Sequence, residues 1–123
     1  MIRGIRGAIT VEEDQATSVL EATSALLTRM IESNNLLADD VASVFISVTK
    51  DLNSTFPAKA LRTLPGWSFV PVMCMQEVPV LGSIEKCIRV MIHVNSLSNQ
   101  ADIVHIYLKR AVELRPDLNQ SNS

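Results

Sequence analysis

The chain is poor in the features that usually announce a chemistry. Its 123 residues include only two cysteines, two histidines and four glycines, and 4% are aromatic. No CxxC, HxxxH or HExxH spacing occurs, so no metal site is indicated. There is no Walker loop and no GxGxxG, and no cofactor is expected. Charge of either sign is scarce in excess: Lys and Arg total 11 against 13 Asp and Glu, for a net charge of -2. Such a balance makes no basic field for nucleic acid or an acidic membrane. The longest uncharged run, Thr63 to Gln76, contains Pro65, Gly66 and Pro71. It falls short of the roughly 20 apolar residues of a membrane span. Arg3 and Arg6 are followed by no apolar stretch of the kind a secretory signal carries, so none is expected. Cys74 and Cys87 read as free thiols of a cytoplasmic protein.

What is present describes one folded domain. Hydrophobic residues make up 47% of the chain and charged residues 20%, outside the disordered range. Ile2 to Val11 reads as a first strand, where Gly4 and Gly7 allow close backbone approach. Ala16, Val19, Leu20, Thr23, Leu26, Leu27, Met30 and Ile31 recur at helical spacing and form one apolar stripe. Asp14 is the expected N-cap, with Glu12 and Glu13 beside it, and Asn34-Asn35 the terminators. Asp39-Asp40 opens a short turn, and Val44 to Val48 forms a second strand. Pro57 starts a short helix through Arg62 that Leu64-Pro65-Gly66 stops.

A third strand is expected from Phe69 to Met75, with Pro71 marking an edge or a bulge. Lys86 to Asn95 alternates most clearly. Ile88, Val90, Ile92 and Val94 share one face, and Cys87, Arg89, Met91 and His93 the other. A last strand is expected from about Ile103 to Leu108, with an extension to Leu114 left open. The class is therefore α+β: a mixed β-sheet packed with one long helix and one short helix. One long helix covers only one face of such a sheet, so a neighbouring subunit is expected on the other.

Seven of the eleven cations are arginine. Arg89 lies mid-strand among apolar neighbours, either on a solvated face or as a fixed donor fork in a pocket. Glu77 is the lone charge after the long uncharged run, and is either a loop acid or an acceptor for a substrate hydroxyl. Strand parity puts Cys74 and Glu77 on opposite faces unless the chain bends near Gln76. Arg6 has small neighbours that leave room for its head group. Arg62 ends the short helix and Tyr107 is the only tyrosine. His93, His105 and Trp67 read as structural. Several arginines with one acid and one tyrosine suit a small polyanion such as a dicarboxylate.

Five segments, MIRGIRGAIT, DLNSTFPAKALR, GWSFVPVMCMQE, KCIRVMIHV and VHIYLKRAVELRPDL, resemble the monofunctional chorismate mutases of the small trimeric α/β type. The resemblance runs in order from Met1 to about Leu118. It implies one domain over residues 1–118, followed by a flexible tail at 119–123. It implies a cofactor-free cytoplasmic isomerase that converts chorismate to prephenate on the way to phenylalanine and tyrosine. The assembly it implies is a pseudo-α/β-barrel homotrimer with active sites between subunits, and no nucleic-acid or membrane partner.

By the same resemblance, Arg89 stands beside the substrate's ether oxygen and reaches a carboxylate. Arg6 binds a carboxylate with help from Tyr107. Glu77 accepts the ring hydroxyl, with Cys74 beside it. Phe56, Ala58, Lys59, Arg62, Val72 and Met73 wall the site from the neighbouring subunit, and Leu114 and Arg115 precede the closing tail. Met73 stands where the family often has threonine, and Lys50 where a proline is usual. The alternatives are an imine deaminase on a similar trimer, or a trimer that binds a ligand without catalysis.

Overall fold

A computed structural model describes residues 1–114. Five strands form one mixed sheet in the order β3-β2-β4-β1-β5. They are β1 (Ile2–Thr10), β2 (Val41–Val48), β3 (Val72–Gln76), β4 (Cys87–Asn95) and β5 (Ile106–Tyr107). The central pairs β1–β4 and β2–β4 are antiparallel, whereas the edge strands β5 and β3 run parallel to their neighbours. The helices α1 (Ala16–Asn34) and α2 (Ala58–Arg62) complete the frame. The α+β class and its two helices are as the sequence indicates.

One face of the sheet makes the core. Ile5, Ile9, Val44, Ile46, Ile88, Val90, Ile92 and Val94 are buried with Val19, Leu26, Leu27 and Met30 of α1 and Leu61 of α2. Burying each such side chain is worth about 1.5–3 kcal/mol. Gly7 points into this layer. A Cβ there would lie 2.5 Å from Met30 Sδ and 3.0 Å from Leu26 Cδ1. The glycine therefore lets α1 close on β1, and contributes no room to Arg6 on the opposite face. Trp67 is core. In α1 the buried Thr23 hydroxyl is satisfied by the Val19 carbonyl at 2.7 Å.

Strand β2 starts at Val41, earlier than expected, and β5 only at Ile106; other ends differ from expectation for identifiable reasons. Gln15 occupies the N-cap position of α1 without a side-chain capping bond, and Asp14 instead accepts the Asn53 and Ser54 amides at 3.1 and 3.2 Å. Those hydrogen bonds, from the Asn53 backbone foremost and then from Ser54, hold its carboxyl below the usual range. Asp14 thus ties down the loop that leads to α2. Strand β3 starts at Val72 rather than Phe69, because the Pro71 nitrogen has no hydrogen to donate. The last strand stops at Tyr107. The Leu108 amide makes its final bond to Ala8, Lys109 turns left-handed at φ 57°, and Lys109–Leu114 coils into a 3-10 helix. The Thr10 hydroxyl accepts the Arg110 amide at 3.1 Å and fixes that turn.

The C-terminus of α1 is held as its two asparagines suggest. Asn35 takes the left-handed cap at φ 52°. The Asn34 side chain donates to the Val104 carbonyl and accepts the Val104 amide, both at 2.9 Å. It thereby seats the segment that enters β5.

Candidate active site

The second face of the sheet carries the polar side chains. On β4, Arg89, Met91 and His93 are half-buried where Ile88, Val90, Ile92 and Val94 are buried. This is the alternation read from the sequence. Where β4 begins is set by its flank. Asp51 accepts the Lys86 amide at 3.1 and 3.0 Å, with Lys86 left-handed at φ 49°. The Thr49 hydroxyl accepts the Cys87 amide at 3.0 Å. These contacts fix the phase of the strand and hence the direction of Arg89.

Register then assembles a recess. Arg6 pairs with Met91, Ala8 with Arg89 and with Tyr107, and Ser47 with Arg89. The recess has a volume of about 270 Å³ and is bounded by Arg6, Phe45, Ser47, Glu77, Arg89 and Tyr107, among others. The Arg6 amide donates to His105 Nδ1 at 2.9 Å and seats this part of β1 on the approach to β5. Glu77 follows β3, and its amide continues the ladder to the Val48 carbonyl at 2.9 Å. One Glu77 oxygen accepts the Ser47 hydroxyl at 2.5 Å. The other lies 3.7 Å from an Arg89 nitrogen, an ion pair looser than a hydrogen bond. The Arg89 side chain keeps 41% of its surface exposed and Glu77 keeps 29%. Both are therefore available to a ligand.

Beneath the recess lies a small second core of Ala8, Cys87, Tyr107 and Ala111, with Leu114 packed against it. Burial pushes the Cys87 thiol up to about 11, against the opposing pull of Arg89. Cys87 is a packing residue in this setting, not a nucleophile.

Of the residues singled out in the sequence, Arg6, Glu77, Arg89 and Tyr107 meet in this recess. Cys74 does not stand beside Glu77 of its own chain. Residues 72 and 74 pack toward the core, and Met75 and Glu77 project to the recess, so strand parity holds without a bend. Cys74 shares a separate depression of about 520 Å³ with Phe56 and Lys59. Ala58 is buried in α2, Val72 is half-buried, and Arg62 and Met73 are exposed. Arg115 and residues 119–123 lie outside the described residues. Ser47 and Phe45 escaped notice in the sequence, because an isolated serine or phenylalanine in a strand carries no pattern until register places it.

Comparison with known proteins decides among the readings. The family model for chorismate mutase type I matches residues 2–118. The chain belongs to the type I chorismate mutases.

The chain is 51% identical over 119 residues to chorismate mutase AroH of Bacillus subtilis, covering 97% of this chain and 94% of that one. It is 46% identical over 122 residues to chorismate mutase AroH of Thermus thermophilus, covering 98% and 99%. The solved chorismate mutase from Clostridium thermocellum superposes with a TM-score of 0.86 at 48% identity, over 89% of this chain and 96% of that chain. The activity is thus that of a chorismate mutase, an isomerase of aromatic amino acid biosynthesis. Within the chain, Arg6, Glu77, Arg89 and Tyr107 converge on one recess.

Proposed function

We propose that the recess binds chorismate and rearranges it to prephenate, with Arg89 stabilising the negative charge that grows on the ether oxygen. The observation that carries this is the convergence of two guanidinium groups, one carboxylate and one phenol on a recess of about 270 Å³. Chorismate is a dicarboxylate with a ring hydroxyl. Arginine forks suit its carboxylates, and Glu77 suits the hydroxyl as an acceptor.

The rearrangement breaks a C–O bond as it forms a C–C bond within one molecule. The residues must therefore hold the compact conformer and meet charge where it develops. Arg6 holds a carboxylate and Tyr107 assists it. Arg89 serves the ether oxygen and the second carboxylate.

The active assembly in this reading is a homotrimer with a site in each cleft between subunits, closing into a pseudo-α/β-barrel. In support, the helices lie on one face of the sheet, and the other face leaves Met73, Met75 and the nearby Phe56 exposed. A neighbour would bring Phe56, Ala58, Lys59, Arg62, Val72 and Met73 to the recess. Cys74 goes with this second wall, since it shares a depression with Phe56 and Lys59. Leu114, packed against the small second core that includes Tyr107, borders the cleft from the C-terminal side. The free thiols Cys74 and Cys87 suit a cytoplasmic setting. No helix among the described residues is long and apolar enough to cross a membrane.

The test is chorismate consumption, followed by ultraviolet absorbance, in the wild type and Arg89→Ala. Losing one fixed donor to a developing oxyanion costs about 10²–10³ in rate, and a cation at that oxygen costs at least as much. Arg89→Lys should fail as well, because an ammonium lacks the planar fork. Near-normal turnover in a folded Arg89→Ala variant sinks the assignment.

A further inference from the structure

Ser47 sits at the middle of the recess without a part in the rearrangement. In the register of β2 it lies across from Arg89 on one side and Met75 on the other. Met75 and Glu77 project to the same face, so the Glu77 carboxylate arrives diagonally over Ser47. There the Ser47 hydroxyl donates to Oε2 at 2.5 Å, and Oε1 is left facing Arg89 at 3.7 Å. A carboxylate and a guanidinium this near each other ordinarily close into a two-bond fork at about 2.7–2.9 Å. Here they do not. The oxygen that would make the second bond of that fork is turned instead to the serine hydroxyl, which anchors the carboxylate on the β2 side.

We propose that Ser47 is a positioning residue, whose hydroxyl keeps Glu77 from collapsing onto Arg89. One carboxylate oxygen thereby stays free for the substrate hydroxyl, and the guanidinium stays free for the substrate oxygens. Without the serine, the two catalytic charges neutralise each other in the empty site, and substrate must break that pair before it binds. The inference rests on the roles given above to Glu77 and Arg89.

The test compares chorismate turnover by full-length Ser47→Ala, Ser47→Thr, Glu77→Ala and the Ser47→Ala/Glu77→Ala double variant. Ser47→Ala should lower kcat/KM roughly ten- to a hundredfold, the scale of a catalytic group displaced by about 1 Å. KM should rise, because substrate competes with the new ion pair. Ser47→Thr keeps the hydroxyl and should restore most of the loss.

The deciding readout is coupling. In the Glu77→Ala background, removal of Ser47 should cost nothing more, since there is no carboxylate left to hold. A full Ser47→Ala cost in that background means that the serine acts on the fold or on substrate directly, and overturns the proposal. Undiminished turnover in Ser47→Ala, with Glu77→Ala crippled, overturns it while leaving the site assignment intact. Undiminished turnover in Glu77→Ala overturns both. Should Ser47→Ala fold poorly, Ser47→Cys keeps the volume with a weak donor, and a loss of kcat/KM matching neither Thr rescue nor Glu77 coupling rejects the idea.

Discussion

Ala8 lies directly across from Arg89 in the β1–β4 pairing and across from Tyr107 in the β1–β5 pairing. It is fully buried between them, on the face that bears the recess. Its small methyl leaves the guanidinium and the phenol standing on either side of one strand. Ala8→Val adds bulk at that point. Overpacking a buried position costs about 1–3 kcal/mol. Activity should fall further than stability alone explains, because the displaced groups are Arg89 and Tyr107. Ile88→Val on the opposite face is the control, with an expected cost of about 0.5–1.5 kcal/mol. Urea midpoints and kcat/KM measured on both variants decide it. Equal activity in folded Ala8→Val and Ile88→Val would remove Ala8 from any account of the site.

The strongest periodicities in the sequence carried through to the structure. The stripe on α1 and the alternation of β4 each reflect one buried face, which solvent exclusion enforces residue by residue. Pro57 opening α2 and Asn35 closing α1 are local backbone effects, equally visible in sequence. The failures lie where long-range partners outbid local signals. Asp14 has the chemistry of a cap, yet two amides of a distant loop claim its carboxylate. The segment after Tyr107 could extend the last strand by its sequence, yet the Thr10 hydroxyl and a left-handed Lys109 turn it into a 3-10 helix. Arg6, Glu77 and Arg89 were legible because charge in or beside an apolar strand is conspicuous, and Tyr107 because it is the only tyrosine. Ser47 was not, because only the pairing of β2 with β3 and β4 gives it neighbours.

The buried Cys87 thiol makes a prediction about alkaline pH. Its ordinary value is 9.0 and burial raises it to about 11 in the folded protein. The unfolded chain therefore releases this proton at lower pH than the folded one. The stability linked to Cys87 is fully present below pH 9.0 and is lost progressively as pH rises toward about 11. The loss is on the order of 2–3 kcal/mol. Cys87→Ala, which has no such proton, should be less stable than wild type near pH 8 and close part of that gap near pH 11. Denaturant unfolding across this range measures it. A gap that stays constant with pH would mean that the thiol titrates alike in both states. A thiol reagent at neutral pH should meanwhile modify one cysteine, the half-exposed Cys74, and reach Cys87 only after unfolding.

The division of the proposed cleft between subunits can be tested without seeing the assembly. Arg89 belongs to the recess wall, whereas exposed Arg62 ends α2 and lines no part of that recess in its own chain. If a site needs Arg89 of one subunit and Arg62 of the next, then Arg89→Ala and Arg62→Ala are each inactive for a different half. Homotrimers of either variant contain three crippled clefts. Unfolding the two together and refolding the mixture creates clefts that combine two intact halves. Under random assembly about a quarter of clefts are of this kind, since each half is intact with even chance in a cyclic, head-to-tail arrangement. Activity should therefore reappear in the co-refolded mixture at roughly a quarter of the wild-type value, and stay absent when the separately refolded variants are merely combined. A site built within one chain gives no such recovery, because every chain in the mixture lacks one of the two arginines. Persistent inactivity of a well-folded mixed assembly would thus place both residues in the same subunit's site and remove the reason for assigning Phe56, Lys59 and Cys74 to a neighbour.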